Sequence, residues 1–550
     1  MPVVMGINHS MHESSVAFLD ETGLLFAQSE ERFTRRKFDA SFPVEAITAG
    51  LRALDLTPSD VAAMGLSFPS RHAGMLHNLQ LLMRGRMQWS RHNALSLIVG
   101  ATQPRNRPPW VRDGIVPTYS FSHHLSHGLT ATLAAGLEEA AVIVADGRGA
   151  RSATTIWHFR RGEMRLLRRF SFPNSLGLFY SEITRYLGFQ PFSDEWKVMG
   201  LAAYGKPGID LSHTIRVTPE GYQVRGRELI GRGGGDLTYL RRHLGVREAS
   251  TPISERDRDV AFAAQMVTEA AMMVLARLAH RLTGARVLCV SGGVAMNCKA
   301  NGRILSEGPF QSVFVPAGAS DEGSAVGAGV AMLGRLGYRP ETKVQPHALL
   351  GLSYKSEDIE ELLQGCGLRF QVLDDPEERA AKLLADGTIL ARFRGRSEFG
   401  ARALGARSIL ASPADIAVRD RINAAVKYRE PWRPFAPMVL EEDGKSYFRR
   451  FMRSPFMTVT FEVTERTYQE APAIVHADGT ARVQSVSRGD DPFLWRLLAS
   501  FKRMTGSSVL LNTSFNLKGE PIVETPRDAV RTFFASGLER MLLENYEVWK

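Results

Sequence analysis

A chain of 550 residues, 44% hydrophobic and 23% charged, has the composition of a soluble globular protein and exceeds what one hydrophobic core serves, so at least two domains are expected. The net charge of +10 is largely arginine and diffuse; it fits solvated helical faces better than nucleic acid, or else the capture of phosphorylated small substrates, and charge alone does not decide. Three cysteines without a Cys-x-x-Cys pair exclude a disulfide framework or zinc knuckle, and neither a signal peptide nor an apolar run approaching ~18 residues is visible, so a cytoplasmic protein without membrane contact is expected.

In chain order, VVMGIN (3–8) predicts a buried strand, and SSVAFLD and GLLFAQSEER predict two more across short polar turns. FSHHLSHGLTATLAAG (121–136) then sets three histidines at the start of a small-residue helix. His123 and His127 stand at i and i+4 on one face, while His124 points about 100° away. This is half of a metal site or simply a polar helix start, and the residues leave both open.

The three-strand order recurs as AAVIVADG (140–147), SATTIWHFRRG (152–162) and MRLLRRFSF (164–172). Such a duplication implies two related halves whose first turns line one cleft, contributing His9 and His12 from the first half and Asp146 from the second. A helix is expected over 257–284. The strand RVLCV then runs into SGGVAMNCKAN (291–301), where Gly292 and Gly293 suit close backbone approach to a ligand, although ordinary turns use the same pair. In SVFVPAGASDEGSAVGAG (312–329), Asp321 is expected at the end of a strand and the start of a small-residue helix, as ligand or as cap.

The stretch 337–351, with two prolines and no periodicity, reads as an interdomain linker. Beyond it, five arginines fall between 392 and 407, and NAAVKYREPWRPFAP, HADGTARVQSV and SSVLLNTSFNLKGEPIVETP add cations beside Ser and Asn. With few acids nearby in sequence, this surface favours binding an acyl phosphate or nucleoside triphosphate over a structural ion-pair network.

Nine segments together resemble the O-carbamoyltransferase family that modifies hydroxyls of antibiotics and nodulation factors, the NodU/CmcH type. They are SEERFTRRKFDASFP, FSHHLSHGLTAT, SLGLFYSEITRYLGFQ, DEWKVMGLAAYGKPG, SGGVAMNCKANGRI, SDEGSAVGAG, GRSEFGARALGARSIL, NAAVKYREPWRPFAP and LNTSFNLKGEPIVE, in family order. The resemblance implies an α/β and α+β protein with a duplicated ASKHA (actin/hexokinase-like) domain over 1–340 and a YrdC-like α/β domain over 341–550 that forms an acyl-adenylate.

It also implies a metal, usually iron(II), held by His123, His127, Asp146 and Asp321, with His124 outside the ligand set. His12 matches the family's His-Asp-x-Ser histidine, near the acceptor hydroxyl, although Glu13 stands where the family has Asp. The Lys-x-Arg and Ser-x-Asn pairs become Lys427–Arg429 and Ser514–Asn516. With Arg482 they are expected to hold carbamoyl phosphate and ATP, with magnesium a companion of the ATP. Gly292, Gly293 and Asn297 are expected to bind the nucleoside of a carbamoyl-adenylate.

The implied reaction is ATP-dependent carbamoyl transfer to a hydroxyl of a small natural product such as an antibiotic, macrolide or sugar. Acceptor-specific structure is expected over 68–115, by position. Competing readings are a threonylcarbamoyl-type tRNA-modifying enzyme and a non-catalytic nucleotide sensor. The second predicts loss of the metal ligands, which are all present. A hydrogenase-maturation carbamoyltransferase would carry paired zinc cysteines, absent from this sequence. Nucleic acid is not an expected partner, and a homodimer is compatible with the resemblance.

Overall fold

The computed structural model describes residues 1–9, 12–68, 108–230, 237–248, 251–340, 348–430 and 432–550. The chain forms two compact units: Met1–Leu24, Ala40–Val44 and Leu56–Val344 make the first, and Leu25–Asp39, Glu45–Asp55 and Gln345–Lys550 the second. Two N-terminal excursions thus join the second unit, an interleaving that a single division at 340 does not include. The centre of the expected linker, 341–347, lies outside the described residues.

Strands β1 (Val3–Asn8), β2 (Ser15–Asp20), β3 (Gly23–Ser29), β4 (Val61–Leu66) and β5 (Thr118–Ser120) form one sheet in the order β3-β2-β1-β4-β5, all within the first unit except β3, which passes into the second at Leu25. Strands β6 (Glu139–Gly149), β7 (Ser152–Arg160) and β8 (Glu163–Ser171) begin a second sheet. A separate ribbon, β9 (Ile215–Thr218) with β10 (Gly221–Val224), precedes β11 (Val287–Ser291) and β12 (Ser312–Phe314), which complete it in the order β12-β11-β6-β7-β8. Counted from its own first strand, each sheet runs third, second, first, fourth, fifth. The first strand pairs antiparallel with the second and parallel with the fourth in both. The duplication legible in the sequence is therefore topological, and this unit has the actin/hexokinase-like α/β arrangement.

The Ser324–Arg335 helix packs against both the first sheet and the His123–Ala135 helix because it is built of small residues. A Cβ on Gly327 would stand 1.8 Å from the Ser126 carbonyl oxygen, so only glycine allows this approach. That contact sets Asp321, just ahead of the helix in a 3-10 turn, beside the histidines. Asp321 lies well past the end of β12, not directly on it as the sequence suggests.

The Glu255–Thr283 helix opens on a Ser254–Asp257 capping box and closes at left-handed Gly284. By length and composition it is apolar enough to cross a membrane, which corrects the expectation that no run approaches that length; 61% of its apolar window is buried inside the protein. Its apolar residues belong to the core.

The second unit is a mixed eight-stranded sheet made of β13 (Arg369–Val372), β14 (Leu390–Phe393), β15 (Arg407–Ala411), β16 (Ala436–Leu440), β19 (Gln484–Val486), β20 (Val509–Ser514), β21 (Arg540–Leu543) and β22 (Tyr546–Trp549). Their order is β13-β22-β21-β14-β15-β20-β16-β19, with β17 (Thr460–Glu462) and β18 (Thr480–Arg482) pairing apart. Both faces are covered, each by its own core cluster. The Pro376–Ala385 and Pro492–Thr505 helices bury Leu384, Leu498 and Phe501 against Leu410 and Met438. Ile359, Phe533 and Phe515 pack with Phe393 and Met541 in a second core cluster.

Candidate metal centre and anion pocket

His123 begins its helix, and the 3.6-residue repeat brings His127 directly above it. Their Nε2 atoms are 3.1 Å apart. Asp146 arrives from β6 at the point where its pairing with β7 becomes irregular. Its Oδ2 is 3.1 Å from His123 Nε2 and 4.0 Å from His127 Nε2. Asp321 Oδ1 is 3.3 Å from the first and 3.4 Å from the second. All four donor atoms fall within 4.8 Å of one another.

These separations fit one ion. Donors ~2.0–2.1 Å from a shared tetrahedral centre stand about 3.4 Å apart. The charge pattern agrees: burial opposes a charge on His123, yet Asp321 and Asp146 outweigh it and lift the imidazole to about 10. A buried site that demands a cation this strongly, with two nitrogen and two oxygen donors, suits a borderline divalent metal. The orienting groups are present too. Phe68 stacks on the His123 ring at 4.1 Å, and Ser291 Oγ lies 3.4 Å from His127 Nδ1. Neither carries a sequence signal, since both meet the histidines only through the fold. His124 points away, bonds Thr155 Oγ1 at 2.8 Å and is pushed down to about 3 by burial. It is a packing residue.

His12 sits at the same cleft. Its Nδ1 is 3.7 Å from Glu13 Oε2. Burial disfavours its charged form, but Glu13 foremost, then Asp321, raise it to about 9. Glu13 adopts φ 51, a left-handed backbone that Asn8 Nδ2 braces by donating to the carbonyls of His12 and Glu13. Glu322, unremarked in the sequence, is buried against Glu13; burial and that carboxylate push it well above the usual range.

Gly292 has φ 90, and a Cβ there would stand 2.4 Å from the Ala145 carbonyl oxygen, so the turn presses tightly on β6. Gly293 N–H donates to Asp146 Oδ1 at 3.3 Å. Asn297 caps the Cys298–Glu307 helix and exchanges two amide hydrogen bonds with Gln265, at 2.9 and 3.0 Å.

In the second unit, Lys427 ends a π-helical turn and is buried. Its ammonium donates to Asn516 Oδ1 (2.8 Å), the Asn516 carbonyl (3.2 Å), Ser514 Oγ (3.3 Å) and the Ser514 carbonyl. Ser514 Oγ in turn donates to Asn516 Oδ1 at 2.6 Å. Burial, then Arg429, Arg433 and Lys37, hold Lys427 well below the usual lysine range. Arg429 lies over the Phe435 ring at 4.0 Å; burial, then Arg433 and Arg482, push it down to about 9. Mutually repelling cations gathered in one place suit a polyanion. The structure thus brings Lys427, Arg429, Arg482, Ser514 and Asn516 together. Lys37 and Arg433 join them, and the basic run TRRK was the only hint of the former.

The arginines between 392 and 407 behave differently. Arg394 pairs with Glu377 and Glu544, each at 3.2 Å. Arg392 donates to the Gly405 carbonyl, Arg396 to those of Gly351, Leu25 and Leu350, and Arg407 to those of Arg394, Gly395, Ala406 and Leu352. For these four, the structural alternative holds: their partners are backbone oxygens and acids distant in sequence. Most of the expected acceptor-specific stretch, 69–107, lies outside the described residues.

Residues 111–330 match the family described as carbamoyltransferase N-terminus, and residues 381–550 match carbamoyltransferase C-terminus. Nodulation protein NolNO of Sinorhizobium fredii is 33% identical over 571 residues, covering 99% of this chain and 80% of that protein. Nodulation protein NolO of Bradyrhizobium diazoefficiens is 38% identical over 442 residues, covering 78% of this chain and 79% of the relative. Among solved structures, HypF of T. kodakarensis aligns with a TM-score of 0.34 at 14% identity, covering 62% of this chain and 49% of that one.

Proposed function

The chain belongs to the carbamoyltransferase family and is a carbamoyltransferase; from that premise we propose that it is ATP-dependent and carbamoylates a hydroxyl of a small natural product, through a carbamoyl-adenylate. The observation that carries this reading is the convergence of two buried imidazoles and two carboxylates in one unit and of a cation pocket in the other. Two chemically distinct sites suit a reaction in two steps.

The first step is assigned to the YrdC-like second unit. Carbamoyl phosphate, ATP and water are consumed, a carbamate oxygen bonds the α-phosphorus, and phosphate and pyrophosphate leave. Lys427, Arg429, Arg482 and Ser514 hold the shifting phosphate charge, and Asn516 orients Lys427. The turn carrying Gly292, Gly293 and Asn297 is assigned the nucleoside of the adenylate.

In the second step, the acceptor oxygen bonds the carbamoyl carbon, the bond to the AMP oxygen breaks, and His12 takes the hydroxyl proton. His123, His127, Asp146 and Asp321 would hold a divalent ion, iron(II) by family resemblance, whose Lewis acidity acts on the carbamoyl or phosphate oxygen and whose charge offsets that of Asp321 felt by His12. Glu13 keeps the imidazole oriented. The three cysteines are free, which suits the proposed cytoplasmic location.

Incubation with ATP, carbamoyl phosphate and an acceptor mixture tests the scheme. Pyrophosphate release together with acceptors heavier by one carbamoyl group supports it. Full-rate carbamoylation without ATP would refute the adenylate route.

A further inference from the structure

Two helices of the first unit, Leu176–Tyr186 and Glu255–Thr283, put polar side chains behind the turn assigned to the nucleoside, where packing alone asks for apolar ones. Gln265 and Glu269, at i and i+4 on the longer helix, are 1% and 5% exposed, and Tyr180 on the shorter is 7% exposed. An amide buried this deeply costs stability unless its hydrogen-bonding atoms are matched. Gln265 is matched in full. Its Oε1 accepts from Tyr180 Oη at 2.8 Å and from Asn297 Nδ2 at 3.0 Å. Its Nε2 donates to Glu269 Oε1 at 2.7 Å and to Asn297 Oδ1 at 2.9 Å. Burial, then Glu269 and Glu195, raise the Tyr180 phenol well above its usual range, so it keeps the proton that it donates.

The two amides therefore have one orientation. Tyr180 donates, and Glu269, whose other oxygen is 3.5 Å from Arg303 Nη1, accepts, which fixes the end of Gln265 that carries oxygen. From the far side, the Ala300 N–H donates to Asn297 Oδ1 at 3.0 Å. Both ends lock the Asn297 oxygen and nitrogen in the same places. The Asn297 oxygen already accepts two hydrogen bonds, and one of its two Nδ2 hydrogens is spent on Gln265. A single N–H on a half-buried side chain is left, with no partner among the described residues.

We propose that Gln265, backed by Tyr180 and Glu269, is a positioning residue that makes Asn297 a one-hydrogen donor to the adenylate. Such a donor meets an acceptor atom of the nucleoside, a ribose oxygen or a purine ring nitrogen. It does not serve the exocyclic amine, which itself donates. Gln265 touches no ligand and acts through Asn297 alone. This inference rests on the assignment of Gly292, Gly293 and Asn297 to the nucleoside of the adenylate.

Calorimetric titration of the full chain with 5′-O-sulfamoyladenosine, a neutral adenylate mimic that makes little use of a cation pocket, tests it. Asn297→Ala and Gln265→Met are each expected to raise Kd about five- to ten-fold, the loss of one hydrogen bond. The double variant loses no more than Asn297→Ala, whereas two independent structural lesions would add. Tyr180→Phe keeps the ring and removes only the hydroxyl, so it weakens binding through Asn297 too and carries the same comparison where Gln265→Met does not fold. The purine riboside form of the mimic, which lacks the exocyclic amine, shows the same Asn297→Ala ratio. Additive losses in the double variant, a wild-type Kd in both Gln265→Met and Tyr180→Phe, or an Asn297→Ala loss that vanishes without the amine overturns the proposal. The underlying assignment fails separately: a wild type that does not bind the mimic, or an Asn297→Ala that binds it like wild type, refutes the nucleoside site and the positioning with it.

Discussion

The Nε2 atoms of His123 and His127 stand 3.1 Å apart, closer to each other than either stands to Asp321 Oδ1, at 3.3 and 3.4 Å. Two imidazole nitrogens facing one another at this distance, with two carboxylates against them, suit a cation between them. The purified protein is expected to bind about one transition metal per chain. His127→Ala and Asp321→Ala should lose the metal and carbamoyl transfer while keeping the fold. Metal analysis and thermal unfolding with and without chelator measure this, since an ion at ~100 times its Kd stabilises by about 2.7 kcal/mol. Wild-type iron or zinc affinity in both variants would refute the site.

The two steps separate by mutation. Asp146→Ala is expected to release pyrophosphate from ATP in the presence of carbamoyl phosphate and to transfer nothing. Lys427→Ala and Arg482→Ala should slow pyrophosphate release by ~100-fold or more yet transfer from preformed carbamoyl-adenylate. Coupled pyrophosphate and product assays on the same preparations distinguish them.

Lys427 gives the pocket a pH dependence. Burial and its cationic neighbours lower its pKa, so part of the population is neutral well below the usual lysine range. A bound polyanion favours the ammonium and raises that pKa, so binding takes up a proton and weakens as pH rises through the free-state value. Calorimetric titration with carbamoyl phosphate, in buffers of different ionisation enthalpy, should show proton uptake that Lys427→Met abolishes. Proton release on binding would contradict the assignment.

Glu398 is fully buried, and one of its oxygens accepts from the N–H groups of Leu404 and Ala406, at 2.8 Å, and of Arg407, at 3.0 Å. Glu398→Ala leaves three buried donors unmatched, so a loss of about 3 kcal/mol or more is expected in denaturant unfolding. A shift below about 1 kcal/mol would mean that the loop finds other acceptors.

RNA is not the proposed partner of this protein. Arg392 and Arg407 are buried and bonded to carbonyls, so they offer no exposed track. Binding of tRNA should be weak and vanish by ~0.15 M salt, whereas ATP affinity falls far less over the same range. Tight, structure-selective tRNA binding at that salt would favour a threonylcarbamoyl-type enzyme.

Much of the site was legible in order along the chain. The i, i+4 spacing of His123 and His127, the repeated three-strand pattern and the Lys-x-Arg and Ser-x-Asn pairs are local, because helix and strand periods are set within a few residues. Apolar runs likewise marked the central strands of both sheets of the first unit, since strands covered on both faces carry no polar side.

Pairing across distance was not legible. Arg394 meets Glu544 over 150 residues, and Glu322 meets Glu13 from the other end of the first unit. A carboxylate so far along the chain gives no local sign of its partner, so a structural arginine read as an anion ligand. The same reason hid Gln265 and the excursions Leu25–Asp39 and Glu45–Asp55. From local periodicity, the sequence determined the opening strands of both sheets of the first unit and the pairing of His123 with His127, while the rest of both donor sets came through the family resemblance. Which charges face a ligand and which face each other was decided only by tertiary packing, because Coulomb and hydrogen-bond energies depend on separation in space and not along the chain.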